Sequence, residues 1–329
     1  MTEQRYRTYS QYLKEKYGEK VYKLPVNLPL TCPNRIHGTG CTFCAEAGTG
    51  FEARDSQMDV VSQLLENRKL IEEKYHAHKF IAYFQNYTNT FLPTGRLQEY
   101  LRQAGQVDGI VEVSISTRPD CISDEILKML EGFQKETGIH IHLELGLQTA
   151  NYHTLARIHR GHGLAEYIDA VLRIAPYGFT VCTHIILNLP WDTMEDVVET
   201  AKLVSVLPVQ IVKLHSLYIA RNSEMEKQYL AGEFQICSAG EYLLRVKTFL
   251  EYVRPDMVIE RLFSRIPEKD SVFSNWGRSW RYLNAMLEEM LEKDHVIQGA
   301  CCRYMNGAKL SLLSSGDAEG ASGRTPASD

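Results

Sequence analysis

The chain reads as an α/β protein built on a parallel sheet. Apolar, strand-like runs alternate with segments of helical spacing between residues 21 and 217, and alternation of this kind builds βα units. Polar residues gather directly after several of those runs, where parallel sheets and barrels place their ligands. Six such units form either an open doubly wound sheet or a partial barrel.

The elements follow in order. Residues 1–20 are charged and polar and form an N-terminal helix with no apolar leader, so no secretory signal is expected. Strands are expected at Val21–Pro25, Phe80–Phe84, Ile110–Ile115, Ile139–Leu147, Thr180–Leu189 and Gln210–Leu217. Helical spacing covers Gln57–Tyr75, Thr94–Gly105, Ser123–Phe133, Leu164–Ile174 and Thr193–Leu207. Chemical stops mark several boundaries. Ser123 can cap a helix with Asp124 and Glu125 in its first turn; Pro176 and Gly178 end the helix before Thr180; Asp192 or Thr193 can cap the next, ahead of Glu195 and Asp196. Residues 21–220 therefore make the α/β unit and 221–305 a helical C-terminal extension. Residues 306–329, rich in Ser, Gly and Ala, form a disordered tail that cannot bury enough apolar surface to order itself.

Composition narrows the class. Of 329 residues, 44% are hydrophobic and 23% charged, which permits a large core. No apolar stretch is long enough to span a bilayer, so a cytoplasmic protein with no membrane partner is expected. The net charge of −5 argues against broad nucleic-acid affinity and leaves room for a local basic footprint. The eight cysteines are expected as thiols or metal ligands, since a chain of this class forms few disulfides.

Three of those cysteines, Cys32, Cys41 and Cys44, fall within thirteen residues in the spacing C-x8-C-x2-C. Pro33, Asn34, Gly38 and Gly40 make the segment a loop, and the two glycines are expected to supply the backbone angles that return Cys32 to the other pair. Three cysteines without a fourth fit a [4Fe–4S] cluster with one iron open to an exogenous ligand. Zinc held as Cys3His with His37, and buried cysteines without metal, both stay open on spacing alone.

The loop Thr31–Cys44 resembles the cluster loop of the radical S-adenosylmethionine (SAM) superfamily, and more closely that of the YhcC/YtqA family, which is similar to the catalytic subunit of Elongator. Further stretches carry the likeness: Ile81–Thr90, Ser114–Cys121, the Glu144–Thr149 segment ELGLQT, Val212–His215 and Arg254–Ile259. The resemblance implies a partial (β/α)6 barrel. It implies a cluster on Cys32, Cys41 and Cys44, SAM on the open iron, and an electron donor such as flavodoxin or ferredoxin. The same resemblance places Phe43 near adenine and assigns Gln85, Asn89, Ser116, Glu144, Gln148, Arg160 and Asn188 to the SAM site. Arg160 would pair the SAM carboxylate. The chain departs from the superfamily pattern where Gln85–Asn89 replaces a Gly-Gly-Glu-like segment. It departs again at Asn188, where glycine is common, and at Trp191-Asp192, which leaves Trp191 as an alternative stacking surface. Packing for Phe43, a buried structural role for Glu144 and a solvated helix end for Arg157 or Arg160 remain alternatives.

Related families act on tRNA wobble uridines, and the resemblance implies conversion of 5-carboxymethylaminomethyluridine to 5-aminomethyluridine, with tRNA as partner. From the residues, Arg254, Arg261, Arg265, Arg278 and Arg281 interleave with Trp276, Trp280 and Tyr282. Arg261, Arg265, Trp276 and Arg278 are the candidate substrate contacts, since arginine with aromatics suits phosphate contact and base stacking; an amphipathic helix packed on the barrel explains the same pattern. Radical chemistry on a small molecule or protein side chain, and a non-catalytic zinc-loop binding module, are the competing classes. Cys301 and Cys302 are adjacent and poorly placed to bridge each other.

Overall fold

A computed structural model of the chain describes residues 5–36, 38–44 and 54–310, without the side chain of residue 309. The zinc alternative through His37 and most of the expected tail lie outside the described residues.

Seven parallel strands form one sheet: β1 (Val21–Val26), β2 (Lys79–Phe84), β3 (Ile110–Thr117), β4 (His140–Gln148), β5 (Thr180–Ile186), β6 (Ile211–His215) and, after a short β7 (Ile219–Ala220), β8 (Val258–Arg261). The order β1-β2-β3-β4-β5-β6-β8 places each strand beside its predecessor. A small antiparallel pair joins β7 to β9 (Ser271–Phe273). The expected partial barrel is present, and the extension adds a seventh strand. Arg254-Pro255 and Asp256 precede only four strand residues, too short a run to show a period of two.

The helices are α1 (Tyr9–Tyr17), the single turn α2 (Pro33–Ile36), α3 (Val60–Tyr75), α4 (Thr94–Gly105), α5 (Asp124–Thr137), α6 (Tyr152–Arg157), α7 (Leu164–Ile174), α8 (Met194–Val206), α9 (Glu224–Leu230), α10 (Ala239–Tyr252) and α11 (Trp280–Lys293). Their starts follow cap chemistry. The Ser123 side chain accepts from the Ile126 amide, and Thr193 with Asp196 forms a reciprocal capping box at α8, so Thr193 rather than Asp192 is the cap. Gly178, at φ 67°, closes the turn before β5.

Leu24, Val26, Phe84, Val113, Leu143, Val181 and Leu214 point outward to the helices and form the main core. The inner face is layered. Near the strand starts, Val21, Ile81, Cys182, Ile211 and Val258 meet Tyr9 and Leu13 of α1, which plugs the barrel floor. One step further along, each strand of the large sheet gives one polar side chain: Lys23, Tyr83, Ser114, Glu144, His184, Lys213 and Glu260. The Lys23 ammonium of β1 lies 2.7 Å from Glu260 of β8. The sheet therefore curls until its first and last strands face each other.

Candidate active site

The cysteine loop leaves β1 at the carboxyl end of the sheet. Pro33 opens α2 as a one-turn helix whose Arg35 amide donates to the Cys32 carbonyl at 2.9 Å. Gly40 sits at φ 81°, and a Cβ there would lie 3.1 Å from Arg35 Cγ. A Cβ on Gly38 would lie 3.3 Å from the Asn34 carbonyl oxygen.

Cys32, Cys41 and Cys44 line one cavity of about 130 Å³ with Phe43, Gln85, Ser116, Glu144, Gln148 and Arg160. Cationic and amide donors face the sulfurs. Arg160 Nη1 lies 3.4 Å from Cys41 Sγ, Asn34 Nδ2 3.5 Å from the same atom, and Arg35 Nη2 3.5 Å from Cys44 Sγ. Burial pushes the Cys44 thiol up, with Cys41 adding to it, while Arg35 draws it back. Donors aimed at the Cys41 and Cys44 sulfurs suit thiolates carrying an iron–sulfur cluster.

Arg160 reaches this position because Gly146 has no side chain: a Cβ would stand 2.5 Å from its Nη2. The guanidinium donates to the Gly146 carbonyl at 2.7 Å, and Arg118 Nη1 donates to the Arg160 carbonyl at 2.8 Å. Arg118 is itself pinned by Asp120 at 2.7 Å. The β4–β5 register shifts between Gly146 and Gln148, and Gln148 has φ 83°, so its amide still faces the cavity that Glu144 faces.

A second cavity, about 570 Å³, shares Phe43, Tyr83, Gln85, Gln148 and His184 with the first and continues across the barrel mouth to Lys213, His215, Tyr218, Glu260, Arg261 and Arg265. Its floor is a closed ring of charge. Lys23 lies 2.6 Å from Glu144 and 2.7 Å from Glu260; Lys213 lies 3.0 Å from Glu144 and 2.9 Å from Glu260. Glu144 also accepts from Ser114 at 2.6 Å, Tyr83 at 3.2 Å and His184 at 2.7 Å.

Burial alone would raise the Glu144 carboxyl, but Lys213 and Lys23 hold it well below its usual range. The same opposition leaves Glu260 at about 2. Burial brings His184 down to about 4, and burial with Arg261 holds His215 well below 6.5, so both imidazoles are neutral. Glu144, Cys182 and His184 bring ligand atoms within 4.8 Å of one another, but the two ammonium groups already serve the carboxylates there, which disfavours a further cation.

Other expected site residues lie elsewhere. Asn89 ties loops together, donating to the carbonyls of Phe84, Asn86 and Ser116. Asn188 accepts from the Leu217 amide at 2.6 Å and lines neither cavity. Trp276 donates its indole N–H to the Cys237 carbonyl at 2.7 Å and packs on Tyr242 and Phe273, away from both cavities. Arg278 stacks over Tyr282 at the surface. Trp191 packs on Phe234, with Arg157 over its ring. His184 opens the stretch His184–Pro190 that the resemblance sets against adenine, whereas Lys23, Tyr83, Lys213, Glu260, Arg35 and Arg118 carry no expected site role. A lone charge inside an apolar strand, as in Val212-Lys213-Leu214 or Ile259-Glu260, was the available signal.

Residues 26–204 match the radical SAM superfamily model, and residues 209–292 match the radical SAM C-terminal domain. The chain belongs to the radical SAM superfamily, in the branch of YtqA and YhcC. It is 35% identical to YtqA of Bacillus subtilis over 88% of this chain and 90% of that one, and 32% identical to YhcC of Escherichia coli over 88% and 92%. In structure it resembles archaeal Methanocaldococcus infernus Elp3 with a TM-score of 0.64 at 17% identity, covering 84% of this chain and 64% of that one. The superfamily's cofactors are a [4Fe–4S] cluster and SAM, and the residues fit them. Cys32, Cys41 and Cys44 would hold the cluster, and Arg160, Gln148, Gln85 and Phe43 line the space beside it. When bound, the pair supplies a 5′-deoxyadenosyl radical from reductive cleavage of SAM.

Proposed function

We propose that this radical SAM enzyme modifies the wobble uridine of tRNA, in the step from 5-carboxymethylaminomethyluridine to 5-aminomethyluridine, in which the nitrogen–carbon bond to the carboxymethyl group is broken with water, the two-carbon unit leaves as glyoxylate and SAM takes up the two electrons. The observation that carries the reading is the cavity of about 570 Å³ that opens off the cysteine pocket. Its volume suits one splayed-out nucleoside, and its walls combine Tyr22, Tyr83 and Tyr218 with Arg261 and Arg265. Beyond the mouth, Arg265 and Arg281 both flank the Trp280 ring, at 4.2 and 4.9 Å. Stacking surfaces with guanidinium groups beside a base-sized pocket fit extraction of a loop nucleotide from RNA. The net charge of −5 keeps that footprint local.

The chain's own residues orient and shield. Phe43 and Gln148 stand at the junction of the two cavities, and α1 closes the floor against water. The electron is expected from a flavodoxin- or ferredoxin-type donor.

The test uses anaerobically reconstituted protein, a chemical reductant such as dithionite or a reduced flavodoxin, SAM, and tRNA from a strain lacking the gene. The expected outcome is 5′-deoxyadenosine together with loss of the carboxymethylaminomethyl nucleoside. Cys41→Ala should lose the brown chromophore and both products. Unchanged wobble nucleosides beside active SAM cleavage would overturn the tRNA reading and favour a small-molecule or protein substrate.

A further inference from the structure

Two arginines of the large cavity, Arg261 and Arg265, stand outside the charge ring of its floor, and Arg261 is the one that lies on the sheet itself. The two lysines and two glutamates of the floor ring neutralise one another through four ion pairs. Arg261 stands at the carboxyl end of β8, on the cavity wall, and takes no part in that ring. Among the described residues its guanidinium meets an imidazole in place of a carboxylate: Nη2 donates to His215 Nδ1 at 2.7 Å. His215 is neutral, since burial and Arg261 itself hold it deprotonated. Arg261 Nε is buried without any partner. An arginine cannot shed its proton, and a half-buried guanidinium whose Nε–H is buried and unserved is costly unless something arrives to pair it.

The backbone is shaped for this placement. The β6–β8 register runs Val212 to Ile259 and then Lys213 to Arg261, so Glu260 is an extra residue on β8. Successive strand residues normally face opposite sides. The bulge turns both Glu260 and Arg261 into the same cavity, and bulges beside active sites commonly re-aim a side chain in this way. His215 then steadies the guanidinium, and its ring stacks on His184 at 5.2 Å between centroids.

We infer that Arg261, positioned by His215, is the receptor for an oxyanion of the substrate, a carboxylate or a phosphate, and that it sets specificity for anionic over neutral substrates. The inference rests on the substrate entering this cavity; if the proposed tRNA reading holds, the carboxymethyl group of the nucleoside is the carboxylate source and the nucleotide backbone the phosphate source. Arg261 binds and orients and takes no part in bond breaking.

The test separates the sources. Cluster-loaded, SAM-bound holoenzyme is titrated by calorimetry with acetate, acetamide and inorganic phosphate. Acetate or phosphate should bind at least about tenfold more tightly than acetamide, and the tighter of the two names the anion. Arg261→Gln should abolish that preference and Arg261→Lys restore part of it, since the lysine keeps charge without the planar fork. In a second arm, anticodon stem-loops carry either the carboxymethylaminomethyl group or its carboxamide. Where acetate is the tighter anion, wild type should show a KM at least about tenfold lower for the carboxylate, with Arg261→Gln raising only that KM; where phosphate is the tighter, Arg261→Gln should raise both KM values alike. Equal affinity for acetate and acetamide in wild type overturns the inference. Where acetate is the tighter anion, equal loss on both stem-loops makes Arg261 structural and overturns it too. An equal rise in the SAM Kd assigns the anion to SAM and does the same. Turnover of neither stem-loop by wild type would sink the tRNA reading, and the small-anion titration would still decide Arg261.

Discussion

At the scale of single residues the site is governed by buried charge. Glu144 is held by two ammonium groups, two hydroxyls and an imidazole. Removing its charge leaves two lysines facing one carboxylate, so Glu144→Gln is expected to cost about 3–5 kcal/mol. Urea denaturation reads this, and a cost below 1 kcal/mol would show the ring to be dispensable. His184 gives the pH dependence. Its folded value of about 4 lies below the ordinary 6.5 because burial disfavours the cation. Its contribution is therefore complete above pH 6.5 and is lost as pH falls toward 4, on the order of 3 kcal/mol. Asp192, raised by burial to about 6, works in the opposite sense. The informative quantity is thus the difference between wild type and His184→Gln. The variant should narrow its gap to wild type between pH 7 and pH 5, and a constant gap would refute the assignment.

At the scale of elements, glycine and bulge placement decide what the strands can present. Gly146 on β4 exists to let Arg160 through. Gly146→Ala should change global stability by less than about 1 kcal/mol, since flexible side-chain ends can shift. It should weaken SAM binding about ten- to a hundredfold by displacing a charge-assisted donor, as equilibrium dialysis would show. This level also explains what was legible beforehand. The strands from β1 to β6 and the cap at Ser123 were readable because period and cap chemistry are local. The meeting of Cys32, Cys41 and Cys44 on one cavity was readable because all three fall within thirteen residues of a turn-rich segment. The network was not: Lys23, Lys213 and Glu260 come together from β1, β6 and β8, a long-range convergence that no local pattern encodes. The resemblance pointed to Asn188 and the arginine–aromatic pattern to Trp276; the Asn188 oxygen accepts from the Leu217 amide and the Trp276 indole donates to the Cys237 carbonyl, and neither residue lines the two cavities.

At the scale of the whole molecule, the barrel is open along one side and depends on its N-terminus to close it. The segment before β1 pairs with the last strand: the Ile259 amide donates to the Arg7 carbonyl at 2.8 Å, and Thr8 bridges Ile259 in parallel. Farther along, Lys16 and Tyr17 reach Glu112 at 3.1 and 2.6 Å, and Tyr9 and Leu13 cover the apolar floor. A charged, polar leader of twenty residues looks expendable from its composition, but its loss would uncover that floor and leave Glu112 with His142 as its remaining side-chain partner. Burial of Tyr9 and Leu13 alone is worth roughly 3–6 kcal/mol. Deleting residues 1–18 should lower the urea midpoint by at least that equivalent, even though the cluster loop is untouched. Tyr9→Ala with Leu13→Ala in the full chain should reproduce most of the loss, because the contact is apolar plugging more than backbone pairing. A deletion as stable as wild type would mean that β1 and β8 hold the curled sheet without the plug, and the floor would then need no lid.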